Sequence, residues 1–259
     1  MLLVCDVGNT ETTIGLAEGD ALRASWRVMT DVPRTADEFH LLLRGLLDAA
    51  GVAREEVTGA AVGSVVPRVT DPLALACAQL TGDATLKIDA SSGLPITLDV
   101  LEPLTVGADR IINTLAASRR HQRDCIVVDL GTATTYDCIT ADGVFLGGVI
   151  APGIQTMAET LTRRTAKLPA TELRAPASVI GRRTEDCIRS GIVFGAAESV
   201  DGLVRRIKAE WPRPGVEPLV IATGGLATVL KPHCREIDLV EPDLTLLGLA
   251  LAWRLLRGT

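Results

Sequence analysis

Apolar and alternating positions recur along the 259-residue chain in runs that predict β-strands at residues 2–7, 11–17, 22–28, 57–65, 85–89, 125–130, 134–140, 144–150 and 218–223. Helical patterns lie between them. The clearest follows Thr35, which has capping-box spacing with Glu38, and sets Phe39, Leu42, Leu43, Leu46 and Leu47 on one face before Gly51 ends it. Further helices are predicted at 71–80, 108–120, 154–164, 184–210 and 244–256. Strands that lead into helices, with hairpins after two acidic corners, predict an α/β fold of mixed sheets with helices on their faces.

Those corners are a long-range repeat. The N-terminal run LLVCDVGNT closes on Asp6 to Thr10, and CIVVDLGTATT presents a related string at Asp129. Aligning Asp6 with Asp129 places Gly8 on Gly131 and Thr12 on Thr135, an offset of about half the chain. Solenoid periods run to roughly 20 to 50 residues, so this spacing predicts two similar domains facing each other across a ligand cleft. The polar run SRRHQRD sets the boundary, giving residues 1–117 with the first corner and 118–259 with the second.

Composition narrows the class. With 47% hydrophobic and 22% charged residues the chain is too apolar for disorder and long enough for a substantial core. A net charge of −6 gives no basic field toward nucleic acid or an anionic membrane. Met1 leads directly into a strand broken by an aspartate, and the apolar tail LTLLGLALAWRLLR carries Arg254, so neither a signal segment nor a membrane span is expected. A cytoplasmic protein is the expectation. The six cysteines show no metal or redox spacing and read as buried reduced thiols, and the three histidines are too dispersed for a zinc site or a Ser-His-Asp triad.

A strand ending in Asp-x-Gly, followed by Asn or Thr and a second strand, aims backbone N–H groups and hydroxyls into one concavity, which is a phosphate cradle. Gly8 and Gly131 allow close approach of a ligand; Asn9, Thr10, Thr12, Thr13, Thr132, Thr134 and Thr135 offer neutral donors. Neither corner has a lysine, and the chain contains no GxxxxGK[ST] and no GxGxxG. Two aspartates beside a polyphosphate call for cations, so Asp6 and Asp129 are read as direct or water-mediated cation ligands, with Mg²⁺ the first choice. Either corner alone reads more readily as a hairpin turn with a satisfied aspartate; the duplication reverses that preference toward the ligand site.

Two further strings add to this. LVIATGGLA sets Gly224 and Gly225 between a buried strand and a helix, where an adenine or ribose could lie against bare backbone, although Gly-Gly is also a common loop. VGADRIINTLAA places Gly107 and Ala108 before Asp109 and Arg110 at a helix mouth. The pair is either a surface ion pair or, in a phosphotransferase, a proton acceptor for an alcohol beside a guanidinium that grips a substrate anion.

In order along the chain, DVGNTETTIG, PLTVGADRIINTLAA, VVDLGTATTYD, GGVIAPGIQTM, GRRTEDCIRSGIVFG and TGGLA resemble the type III pantothenate kinases, within the acetate and sugar kinase, heat-shock protein and actin superfamily. The resemblance implies duplicated actin-like (ribonuclease H-like) domains and ATP-dependent phosphorylation of pantothenate to 4′-phosphopantothenate, which opens coenzyme A synthesis. It implies that Asp6, Val7, Gly8, Asn9, Thr10, Glu11, Thr12 and Thr13 bind ATP phosphates with Asp6 near Mg²⁺, and that Thr132 touches ATP. Asp129 falls on a position that binds K⁺ or NH₄⁺. Gly107 to Arg110 fall on pantothenate contacts with Asp109 as the proton acceptor, and Thr184 on a substrate-binding threonine of a homodimer whose partner chain completes the pocket. Val100 stands where many members carry a substrate-contacting tyrosine, a change worth about 1 to 3 kcal/mol of binding if nothing replaces the contact. The alternatives are a catalytically weak homologue with a regulatory or accessory role and a chaperone-like ATPase; Asp109 and Arg110 argue against the latter, which has no use for an acceptor-side pair.

Overall fold

The computed structural model describes residues 1–258. The chain divides into two compact units, one made of Met1–Arg120, Gly143–Phe145 and the C-terminal stretch from Asp243, the other of His121–Asp142 and Leu146–Pro242.

In the first unit the order is β1 (Leu2–Val7), β2 (Glu11–Glu18), β3 (Ala21–Met29), α1 (Ala36–Ala49), β4 (Gly59–Ser64), α2 (Pro67–Thr81), β5 (Leu86–Ile88), β6 (Thr97–Leu98) and α3 (Ala108–His121). The second unit holds β7 (Cys125–Leu130), β8 (Ala133–Ile139), most of β9 (Val144–Pro152), α4 (Ile154–Arg164), α5 (Thr184–Ala209), β10 (Leu219–Thr223), α6 (Ala227–Leu230) and β11 (Leu239–Val240). The last helix, α7 (Leu244–Arg257), belongs to the first unit.

The two sheets repeat one design. The first has the order β3-β2-β1-β4-β5, and the second runs β9-β8-β7-β10-β11 with β6 added on the outer side of β9. In each, the hairpin (β1 with β2, β7 with β8) is antiparallel, and two parallel strands continue the other side. This duplicated α/β architecture is the one expected from the paired corners.

Alternation explains why β1 reads as an unbroken apolar run. Leu3, Cys5 and Val7 face α1 and α2, whereas Leu2 and Val4 face α3 and α7, so both sides of the strand are covered. By the same alternation Asp6 belongs to the α3 face. In the second unit Ile126, Val128 and Leu130 pack with Ile192, Val193, Ala196 and Val200 of α5.

Local signals place the helices. α1 begins at the expected capping box, where the Thr35 backbone N–H donates to Glu38 Oε2 at 2.7 Å and the Glu38 N–H donates to Thr35 Oγ1 at 3.3 Å. Phe39, Leu43 and Leu47 are buried, and the chain leaves the helix through Gly51 at φ +66. α2 starts at Pro67, a turn earlier than its apolar pattern suggests, because proline is suited to the first helical position; Pro72 is carried within it. Strand bounds differ from the sequence reading by a residue or two, and the two-residue β6 and β11 were too short to carry a period. Among the described residues all six cysteines are free, and all but Cys138 and Cys187 are buried.

Candidate functional site

The first corner sits where β1 turns into β2. Asp6 and Val7 pair with Thr13 and Thr12, and on the other side of β1 with Gly63 and Ser64 of β4. The Gly8 N–H donates to the Glu11 carbonyl at 3.0 Å, and a Cβ on Gly8 would lie 3.0 Å from that same oxygen, which explains the glycine. Thr30, at the end of β3, holds the turn from behind: its N–H donates to the Thr10 carbonyl at 2.9 Å and its hydroxyl lies 2.8 Å from that of Thr12. Asn9, Thr10 and Glu11 are therefore exposed on a braced loop, with Asp6 and Thr13 half-buried beside it and Val7 and Thr12 in the interior.

The acid and guanidinium pair lies at the mouth of α3. A Cβ on Gly63 would approach Ile112 Cδ1 to 2.5 Å and Ala108 Cβ to 3.8 Å, so the helix start packs against the end of β4, one strand from Asp6 and on the same face. This is the carboxyl end of the parallel β1 and β4 pair, where open α/β sheets bind ligands. Asp109 Oδ1 accepts the Arg110 backbone N–H at 2.9 Å, and a Cβ on Gly107 would come within 2.5 Å of that oxygen. Burial raises the Asp109 carboxyl above its usual range, against the lowering effects of the Arg110 backbone N–H and the Arg110 charge. Arg110 carries its guanidinium over the Phe145 ring, 4.9 Å from the centroid. Val100 is half-buried, one residue after Asp99, whose N–H donates to the Phe145 carbonyl at 2.9 Å.

The second corner, in the other unit, is built alike but one residue shorter. Asp129 pairs with Thr135 and Leu130 with Thr134, so the register equivalents of Thr13 and Thr12 are Thr135 and Thr134, in place of the alignment of Thr12 with Thr135 that the strings suggest. The Gly131 N–H donates to Ala133 O at 3.1 Å, and the exposed Thr132 offers its carbonyl to the Gly153 N–H at 3.1 Å and to the Thr156 hydroxyl at 2.7 Å, which ties the corner to the start of α4. Thr223 of β10 lies in register with Asp129, and its buried hydroxyl has no hydrogen-bond partner among the described residues. Gly224 follows at φ +87; a Cβ there would overlap the Asp129 carboxylate and come within 2.8 Å of the Leu130 backbone, whereas Gly225 is exposed. Gly224→Ala combines a disfavoured backbone angle with that overlap and is expected to cost about 1–3 kcal/mol of stability, read from denaturant unfolding. Thr184 is exposed at the first position of α5, after a Gly181 that has no room for a side chain against Cys187.

The first unit thus brings together Asp6 to Thr13, Gly107 to Arg110 and Val100, and the second holds Asp129, Thr132, Gly224, Gly225 and Thr184. Sequence patterns missed Thr30, Gly63, Thr156 and Phe145, whose parts depend on contacts across strands and helices.

A duplicated five-strand design with an acidic glycine corner on the first hairpin of each copy is the fold of actin-like ATPases and sugar kinases. The activator of the 2-hydroxyisocaproyl-CoA dehydratase from Clostridium difficile, with bound ADPNP, superposes with a TM-score of 0.58 over 99% of this chain and 96% of its own at 17% identity. A ROK hexokinase from Thermus thermophilus superposes at 0.52 over 97% of both chains at 16% identity. The profile of the type III pantothenate kinases matches residues 2–206, and a type III pantothenate kinase from Acidothermus cellulolyticus is 46% identical over 97% of each chain. The chain belongs to the type III pantothenate kinase family.

Proposed function

We propose that this chain transfers the γ-phosphoryl group of ATP to the primary hydroxyl of pantothenate, giving 4′-phosphopantothenate and ADP, the first step of coenzyme A synthesis. The observation that carries the reading is the half-buried Asp109 beside Arg110 at the carboxyl end of β1 and β4, in a chain of this family. The acceptor oxygen forms a bond to the γ-phosphorus as its proton passes to the Asp109 carboxylate, and the bond to the ADP oxygen breaks. Such a transfer asks little of the base beyond orientation, which the helix mouth supplies. Arg110 grips the substrate carboxylate, Val100 forms pocket wall, and Gly107 and Ala108 allow close approach.

On the nucleotide side, Asp6 to Thr13 cradle the phosphates, Thr132 touches ATP, and Gly224 and Gly225 lie against adenosine. Among the described residues no group of three or more His, Cys, Asp or Glu could hold a metal, so a closed protein cage is not on offer. The half-buried Asp6 carboxylate beside exposed Asn9 and Thr10 fits Mg²⁺, which keeps several waters and takes one or two carboxylates plus phosphate oxygens. When bound, Mg²⁺ supplies neutralisation of the phosphate charge. Asp129 and the unpartnered Thr223 hydroxyl beside it supply hard oxygen donors suited to K⁺ or NH₄⁺.

The proposed assembly is a homodimer in which Thr184 serves the neighbouring subunit's pantothenate pocket. The proposed location is the cytoplasm; no helix among the described residues is long and apolar enough to cross a membrane. The test is ADP release by purified protein with Mg²⁺-ATP and K⁺, with and without pantothenate. Pantothenate is expected to raise the rate; an unchanged rate would dismiss the assignment.

A further inference from the structure

We propose that Phe145 is a positioning residue for the substrate carboxylate, acting through Arg110; this rests on the pantothenate reading above. Phe145 is 1% exposed and lies at the start of β9, where Val144 and Phe145 pair with Thr97 and Leu98 of β6. It makes two contacts on the acceptor side. Its ring lies under the Arg110 guanidinium, 4.9 Å from Cζ, and its carbonyl accepts the Asp99 N–H at 2.9 Å, next to Val100. Gly143, two residues earlier, accepts the Thr97 N–H at 3.0 Å and turns at φ +81 with its bare Cα facing Ser118 of α3 and Pro95, so the start of β9 is fixed at both ends of the contact.

The physics favours a role beyond filling space. A ring face attracts the guanidinium without itself taking up an N–H donor. The contact fixes the plane of a long side chain before the substrate arrives, which lowers the ordering cost of binding. Phe145 therefore sets the affinity for the acceptor's charged end, and through its carbonyl the place of the Val100 wall.

Steady-state kinetics separate this from a purely structural role. The substrates are pantothenate and its neutral alcohol analogue, in which a hydroxymethyl group replaces the carboxylate. The proteins are wild type, Phe145→Leu, Arg110→Gln and the double variant, with Phe145→Met as the second test of the position should the leucine variant fold poorly. Phe145→Leu is expected to raise the pantothenate KM roughly five- to thirty-fold with kcat within about twofold, and to leave the KM of the alcohol within about twofold. In the Arg110→Gln background it is expected to add nothing, because the contact it removes is already lost. Equal KM changes for the two substrates, a loss confined to kcat, or additive effects in the double variant would each overturn the proposal. Wild-type protein that shows no pantothenate-dependent ADP release would instead overturn the functional reading on which it rests.

Discussion

Asp109→Asn is expected to lower turnover by about 10²- to 10⁴-fold, the range for loss of a positioned general base, while nucleotide still binds. The substitution keeps the side-chain shape and an oxygen that can accept the Arg110 N–H, so the helix mouth should persist. Burial raises the folded-state pKa of Asp109 above its unfolded value, so its ionised form is disfavoured by folding. The sign follows: its contribution to stability falls as pH rises from the ordinary aspartate range through the folded pKa, and above that it remains a cost. The neutral asparagine removes that cost, so Tm at neutral pH should be unchanged or higher. The same shift puts the acid limb of the kcat/KM profile above the usual 3.8 of an aspartate, because the base works only when ionised. Unchanged turnover in the variant, or loss of nucleotide binding along with turnover, would remove Asp109 as the base.

Asp124→Ala is expected to destabilise the protein by about 3–5 kcal/mol, the range for leaving a buried ionic and hydrogen-bonded network without its centre. Asp124 is 3% exposed and holds three residues from two loops of the second unit. Its Oδ2 accepts the Trp211 indole N–H at 2.8 Å, and its Oδ1 accepts the Arg213 guanidinium at 3.0 Å and the Ala141 N–H at 2.9 Å. Alanine leaves the indole and amide donors without their acceptor and separates Arg213 from one of its two carboxylates, the other being Asp142 at 2.5 Å. For a protein of this size that loss lowers Tm by roughly 6–20 °C. Asp124→Asn, which keeps an acceptor but adds a donor, should fall between. A midpoint shift under about 1 kcal/mol in urea for the alanine variant would show that the network contributes little.

Asp124 also shows where reading the sequence fails. In the string SRRHQRD it looks like part of a solvated linker, and nothing in its neighbours indicates a buried carboxylate. Its partners lie in positions 141, 211 and 213, so only the folded chain reveals them. The α1 capping box, by contrast, is complete within four residues, and its geometry matches the pattern that predicted it. The apolar character of β1 and β7 is legible in the same way, as is the long α5.

The duplicated corners fall between these cases. Their Asp-x-Gly strings are visible without coordinates because a strand end, a glycine and hydroxyl residues are local features. The strand register is not local: the extra residue in the first corner emerges only once Asp6 is seen opposite Thr13 and Asp129 opposite Thr135. Nor can an amphipathic pattern tell which core a helix joins. The tail from Leu244 announces a helix, but its packing on β1, β2 and β4 of the first unit is settled by shape, including the bare Gly248 that lets α7 approach Ile112 of α3.

Local periodicity, capping and short motifs, all set by a few neighbouring residues, were therefore enough for the sequence to determine the longer strands and helices, the duplicated α/β class, the two acidic corners and the Asp109 and Arg110 pair. The tertiary structure alone decided that Thr30 braces the first corner, that Gly63 admits the helix mouth beside Asp6, and that Phe145 lies under Arg110. These are contacts between residues 18 to 49 positions apart in the chain, and no local pattern records which distant side chain will fill the space a neighbour leaves open.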